Sequence, residues 1–249
     1  MSSRPKFYDH INVYEFNTTL PGSKQVVKFK PVNTGQLKKL LVYENETNLI
    51  IQEQALDDMI LSSVLSEDFN IDELYLEDRF YLLVELRKKT KGEVLEFSLT
   101  CPKCKSQTLN RVDLDSLPVK PLDEEMNKVV DFGDGMKVHL RRLKRKHQKE
   151  INPSLISDKL TDLQKQAEVQ ILYHACAIDK VETEDGIDEN LKITDKKYLI
   201  ENVPTRYYDM IRDKIDEISF GLDLKYKVRC GKCNFNYETL VPVENNFFS

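Results

Sequence analysis

Two stretches of the chain alternate apolar and polar residues with a period of two and then break at a short cysteine pair. Leu95, Phe97 and Leu99 alternate with Glu96, Ser98 and Thr100 before Cys101-Pro102-Lys103-Cys104. Leu222, Leu224, Tyr226 and Val228 alternate with Asp223, Lys225, Lys227 and Arg229 before Cys230-Gly231-Lys232-Cys233. Return strands follow over residues 107–114 and 234–243, where Phe235, Tyr237, Thr239, Val241 and Val243 share one face. The pattern predicts two β-hairpins with a cysteine pair at each tip, a degenerate internal repeat split by a long insertion.

Helical spacing dominates elsewhere. A first helix starts near Thr34 with Leu37, Leu40 and Leu41 on one face, and a second over 48–65 carries Ile51, Ala55, Leu56, Met59 and Ile60. A third, over 72–89, is capped by Asn70 or Asp72, buries Leu76, Phe80, Leu83 and Val84, and stops at Gly92 with Arg87, Lys88 and Lys89 at its carboxyl end. It leads straight into the first cysteine hairpin. After Pro118 and Pro121, a hairpin is expected over 129–141 across Gly133-Asp134-Gly135, then a helix over 157–178 and a solvated acidic loop over 179–190. Two short helices, one capped by Thr194 and one opened by Pro204 and ended by Gly221, lead into the second cysteine hairpin.

The expected fold class is therefore α+β: a helical body with a split, zinc-ribbon-like unit of two β-hairpin knuckles. It divides into an amino-terminal arm and strand (1–33), a helical region (34–92), the first knuckle (93–117), a mostly helical insertion (118–221), and the second knuckle with an aromatic tail (222–249).

Two CxxC pairs supply four soft thiolates, the ligand set of a tetrahedral structural zinc, so Cys101, Cys104, Cys230 and Cys233 are the predicted ligands of one Zn2+. A disulfide framework needs an oxidising compartment, and a redox CxxC belongs at a strand-to-helix junction and occurs once. Four thiolates leave no open position for water, which argues against a catalytic zinc. The fifth cysteine, Cys176, lies in a helical pattern two residues from His174, so the pair points in different directions and reads as a core histidine beside a buried thiol.

Composition narrows the function classes. A chain of 249 residues with 40% hydrophobic and 32% charged residues is that of a soluble, polar protein with no membrane span or signal peptide, and the expected compartment is the cytoplasm. The net charge of -5 disfavours wholesale phosphate binding, although Arg141, Arg142, Lys144, Arg145, Lys146 and Lys149 form one dense basic run. No aromatic residues interleave it for base stacking, so Arg141, Arg142 and Arg145 are read first as contacts to an acidic protein surface or as a plainly solvated run, with nucleic acid the lesser reading. The tail ends in Phe247-Phe248, which either tucks against its own sheet or, the preferred reading, anchors a partner, and the arm carries Phe7, Tyr8, Ile11, Val13, Tyr14 and Phe16, to be packed on the chain's own core or ordered by a partner. No nucleophile–base–acid set and no phosphate-cradling glycine loop appears, so no enzymatic activity is expected.

The order of features resembles a known family. Lys30-Pro31-Val32-Asn33-Thr34-Gly35-Gln36-Leu37, the segment Leu76-Glu77-Asp78-Arg79-Phe80-Tyr81-Leu82-Leu83 with Glu85-Leu86-Arg87 and Gly92, and two CxxC hairpins ending in Phe-Phe are similar to the baseplate proteins of T4-type, contractile-tailed phages. Among these the likeness is to hub assembly proteins, or hub chaperones. The resemblance implies a non-enzymatic role in building the baseplate hub in the infected bacterial cytoplasm, with hub proteins as partners. Members act either as assembly factors absent from the finished particle or as minor hub parts that stay in the virion.

Overall fold

The computed structural model describes residues 14–42, 49–152, 155–157, 159–243 and 245–248. Most of the aromatic arm, including Phe7, Tyr8, Ile11 and Val13, lies outside them. In chain order, strands β1 (Phe16–Thr19) and β2 (Val26–Phe29) form an antiparallel hairpin, followed by helices α1 (Thr34–Leu41), α2 (Leu49–Ser63) and α3 (Leu76–Lys91). The first knuckle is β3 (Val94–Thr100) with β4 (Gln107–Asp113). The insertion runs through β5 (Val119–Lys120), β6 (Val129–Asp131), β7 (Lys137–Leu140), α4 (Arg145–Gln148), α5 (Asp162–Ala177), β8 (Ile178–Thr183), β9 (Gly186–Asp188), α6 (Ile193–Asn202) and α7 (Thr205–Ile218). Then come β10 (Gly221–Leu222) and the second knuckle, β11 (Lys225–Arg229) with β12 (Asn236–Leu240), before a 3-10 turn at Asn245–Phe248.

The α+β reading holds, with two cores. The larger packs β2, α2, α3 and the first knuckle around Phe29, Ile60, Leu82, Leu86, Leu95 and Val112. Helix α3 is more deeply buried than a single apolar stripe predicts, because every residue from Leu82 to Arg87 is inside. It is surrounded by α2, the tail and the knuckle, and its charged positions survive by pairing: Glu85 meets Lys88 at 2.5 Å. Gly92 ends it as expected, with φ +95 and its N–H on Lys88 O. Asn70 caps not α3 but a separate 3-10 turn, Ile71–Glu73.

The smaller core lies in the insertion, where α5 and α7 pack on the sheet β6-β7-β8-β9 through Val138, Ala175, Ile178, Tyr207 and Ile211. Half of this sheet comes from the segment expected to be a solvated acidic loop. Val181 of β8 is buried opposite Val138, and Glu182 binds Lys137 at 3.1 Å and His139 at 3.0 Å across the strands, so the acidic residues are cross-strand partners. The helix expected over 157–178 begins at Asp162 with a Thr161–Gln164 capping box. The Pro118–Pro121 connector is also structured: β5 pairs antiparallel with β10, joining the exit of the insertion to its return.

A tight turn ties the amino-terminal hairpin to α3. Asp78, fully buried, accepts from the N–H groups of Gly22 at 2.6 Å and Ser23 at 2.8 Å. The Phe220 ring lies so close to Gly22 that a Cβ there would stand 2.4 Å from it, which only glycine avoids.

Candidate metal centre

Both knuckles are built on the same backbone plan. In the first, Cys101 N–H bonds to Ser106 O and Lys105 N–H to Cys101 O, each at 2.9 Å; in the second, Cys230 N–H bonds to Phe235 O and Asn234 N–H to Cys230 O at the same distances. Lys105 (φ 58) and Asn234 (φ 57) take the left-handed conformation at the equivalent place, one residue past each second cysteine, which curls both thiols of a pair to one side. The internal repeat read from the pattern is thus exact at the tips.

The tips meet. Cys101 Sγ lies 3.7 Å from Cys233 Sγ, Cys104 Sγ lies 3.7 Å from Cys230 Sγ, and all four sulfurs lie within 4.8 Å of one another. Sulfurs held at about 2.3 Å from a tetrahedral ion stand roughly 3.8 Å apart, so the four thiols fit a metal of zinc's size. Cys101 and Cys230 are buried, and Cys104 and Cys233 half-buried. The Ser106 hydroxyl, 3.0 Å from Cys104 Sγ and 3.5 Å from Cys230 Sγ, holds both thiols below their ordinary range, Cys230 down to about 6. Cys233 moves the other way, up to about 11, because burial and the neighbouring thiols oppose a further negative charge, so the four-thiolate set is completed only against a cation. Ser106 was missed in the sequence, where only its position two residues past Cys104 could have drawn notice. The two hairpins also touch below the tips, where Phe97 and Tyr226 stack edge to face and Tyr226 donates to Arg111 O at 3.2 Å.

The basic run turns inward. Arg145 is buried and its Nε donates to Asp57 at 2.7 Å, while Arg79 Nε reaches the other oxygen of the same carboxylate at 2.7 Å. Lys144 and Lys146 share Glu73, at 2.9 and 2.7 Å, holding its carboxyl down to about 2, and Lys149 pairs with Asp72. Arg141 donates to Cys176 O at 2.9 Å and contacts Glu150; Arg142 donates to Ile218 O at 2.9 Å and to Asp123 O. The expectation of free contacts at Arg141, Arg142 and Arg145 is corrected: the run fastens the insertion to the helical body. Backbone bonds reinforce it, with Leu76 N–H on Leu143 O and Arg145 N–H on Leu74 O.

Phe247 and Phe248 are corrected in the same sense. Both rings are buried in the larger core, 4% and 5% exposed, and stack edge to face on each other. Arg87 donates to Phe247 O at 3.3 Å and lies over its ring, so the tail is an internal plug and no exposed anchor. His174 and Cys176 point apart as expected, His174 to the Tyr208 hydroxyl at 2.8 Å and Cys176 to His147 O at 3.3 Å, with burial pushing the thiol up to about 12.

The fold is therefore α+β, with distant parts of the chain brought together at four clustered thiols whose spacing is compatible with a metal site. The family model described as T4 bacteriophage base plate protein matches residues 12–249, and the chain belongs to that family. Among curated proteins and solved structures, none matches it. Membership gives it a phage baseplate role and, with that, the tail as its setting. Among the described residues, no helix is long and apolar enough to cross a membrane.

Proposed function

We propose that this protein is a non-enzymatic assembly factor, a chaperone for the baseplate hub of a contractile-tailed phage, acting in the host cytoplasm through contacts with hub proteins. The family match over nearly the whole chain carries the reading. The metal, proposed as structural Zn2+, would be held by Cys101, Cys104, Cys230 and Cys233, and four thiolates would fill its coordination shell and fix the relative placement of the two hairpins. Pairing of the basic run with Asp57, Asp72 and Glu73 removes the charge that a nucleic-acid binder would present.

The test is a tagged chain recovered from infected cells, with the composition of purified finished tails determined in parallel. Hub proteins on the tagged chain and its absence from finished tails support the assembly factor. Presence at fixed stoichiometry in finished tails makes it a minor structural subunit of the hub, and recovery of no tail protein removes both readings. Elemental analysis of the purified chain is expected to give one zinc per molecule.

A further inference from the structure

The two knuckles share a backbone plan but differ in the side chains behind it. Two residues past the second cysteine, the first knuckle carries Ser106 and the second carries Phe235. The hydroxyl that reaches Cys104 Sγ at 3.0 Å and Cys230 Sγ at 3.5 Å therefore has no counterpart at the equivalent place. Cys233 Sγ accepts from the Phe235 N–H. Cys101 Sγ, fully buried, has the Cys233 thiol at 3.7 Å as its only side-chain hydrogen-bond partner among the described residues. Thiols that ligate a cation do so as thiolates, and two thiolates have no proton to share, so ligation leaves this sulfur an acceptor in want of a donor.

The second knuckle holds such a donor. Tyr237 lies opposite Val228 in the β11–β12 register, and Val228 is two residues nearer the tip than Tyr226, whose ring packs on Phe97 of the first knuckle. Cross-strand partners share a face, as do residues two apart, so the Tyr237 ring stands on the face turned to the first knuckle, just below the sulfurs. Phe235 stacks on it at 6.2 Å, and Lys103 of the first knuckle lies over the Phe235 ring at 5.6 Å. The Tyr237 hydroxyl is buried and has no hydrogen-bond partner among the described residues. Burial and the four thiols, Cys101 foremost, raise it above its ordinary range. A buried phenol O–H without an acceptor costs stability that a phenylalanine would not.

We propose that Tyr237 is a positioning residue for the metal, its O–H donating to Cys101 Sγ when the four thiolates hold an ion. Ser106 of the first knuckle then reaches Cys230 of the second, and Tyr237 of the second reaches Cys101 of the first. The two hydroxyls form a reciprocal clasp across the ribbon that orients the sulfurs and disperses the excess negative charge of four thiolates around one dication. Thr108, which stands in the first knuckle where Tyr237 stands in the second, is already engaged with Leu99 O at 3.5 Å.

This inference rests on the reading of a metal at the four cysteines, and the experiment separates the two. The full chain is titrated with cobalt(II), whose sulfur-to-metal charge-transfer band reports on the thiolates, and affinity is read by competition with a chelator. Tyr237→Phe takes up cobalt at the same stoichiometry but about tenfold more weakly. Its band moves to lower energy, because a thiolate that has lost a donor gives up its electrons more readily. Tyr226→Phe, which removes a hydroxyl bonded to Arg111 O and not to sulfur, leaves the band in place. An unaltered affinity and band in Tyr237→Phe, or an equal band shift in Tyr226→Phe, overturns the proposal. Failure of the unaltered chain to take up any metal overturns the metal reading, and the proposal with it.

Discussion

The four-cysteine cluster and the basic run both join distant parts of the chain, by opposite means. The ribbon brings Cys101 to Cys233 and Cys104 to Cys230, pairs 132 and 126 residues apart, at tips that share one backbone design. The run brings Arg145 to Asp57 and Lys144 to Glu73, pairs 88 and 71 residues apart, with unlike acids supplied by two different elements. Two thiols spaced two residues apart on a tight turn mark a metal site within a few residues of sequence, so each half of the ribbon is written locally. An ion pair between distant elements asks only for an opposite charge somewhere, so half of it lies outside any local pattern.

The comparison is broken most severely by removing the metal. A Cys101→Ser variant or a strong chelator is expected to cost on the order of 10 kcal/mol at the ribbon, seen as loss of bound zinc and rapid proteolysis within residues 93–117, while the insertion core persists. Asp57→Ala comes next. It leaves Arg79 and Arg145 buried without their shared carboxylate, at about 3–5 kcal/mol in chemical denaturation, whereas apolar replacement of all three together is expected to be close to neutral.

Glu77 sharpens the contrast between paired and unpaired buried acids. Burial raises its carboxyl from 4.5 to about 7. Because the folded value lies above the unfolded one, the fold holds a proton that the unfolded chain has lost, so stability falls as pH rises from about 4.5 to 7 and is level above that. Glu77→Gln is expected to flatten this dependence and raise stability at pH 8 by roughly 2–3 kcal/mol, measured by thermal unfolding across pH. The smallest effect is at Glu73, whose carboxyl is held at about 2 by Lys146 and Lys144. Its contribution is present above the unfolded value of 4.5 and lost as pH falls toward 2, and in solvent it is weak, so Glu73→Gln should leave the neutral-pH melting temperature unchanged.

What could be read from the chain follows the same division. The knuckles, α3 with its Gly92 stop, and α7 after Pro204 were legible because periodicity and caps are local. The acidic segment that became β8 and β9 was misread because its composition argued for solvent, while its partners Lys137 and His139 lie on another strand. Phe247 and Phe248 look like an exposed anchor only until the deeply packed α3 is seen to leave them a seat beside Arg87. Ser106 and Asp57 carried no pattern of their own and became visible only through what they touch.

The short pairing of β5 with β10 has a practical side. Val119 stands opposite Leu222 and Lys120 opposite Gly221, so the polypeptide leaves for the insertion and comes back through neighbouring doorways. Excising the hundred-odd residues between them and bridging the gap with a two-residue glycine turn should yield a miniature that still coordinates its ion, and the excised piece could be exchanged between relatives like a cartridge.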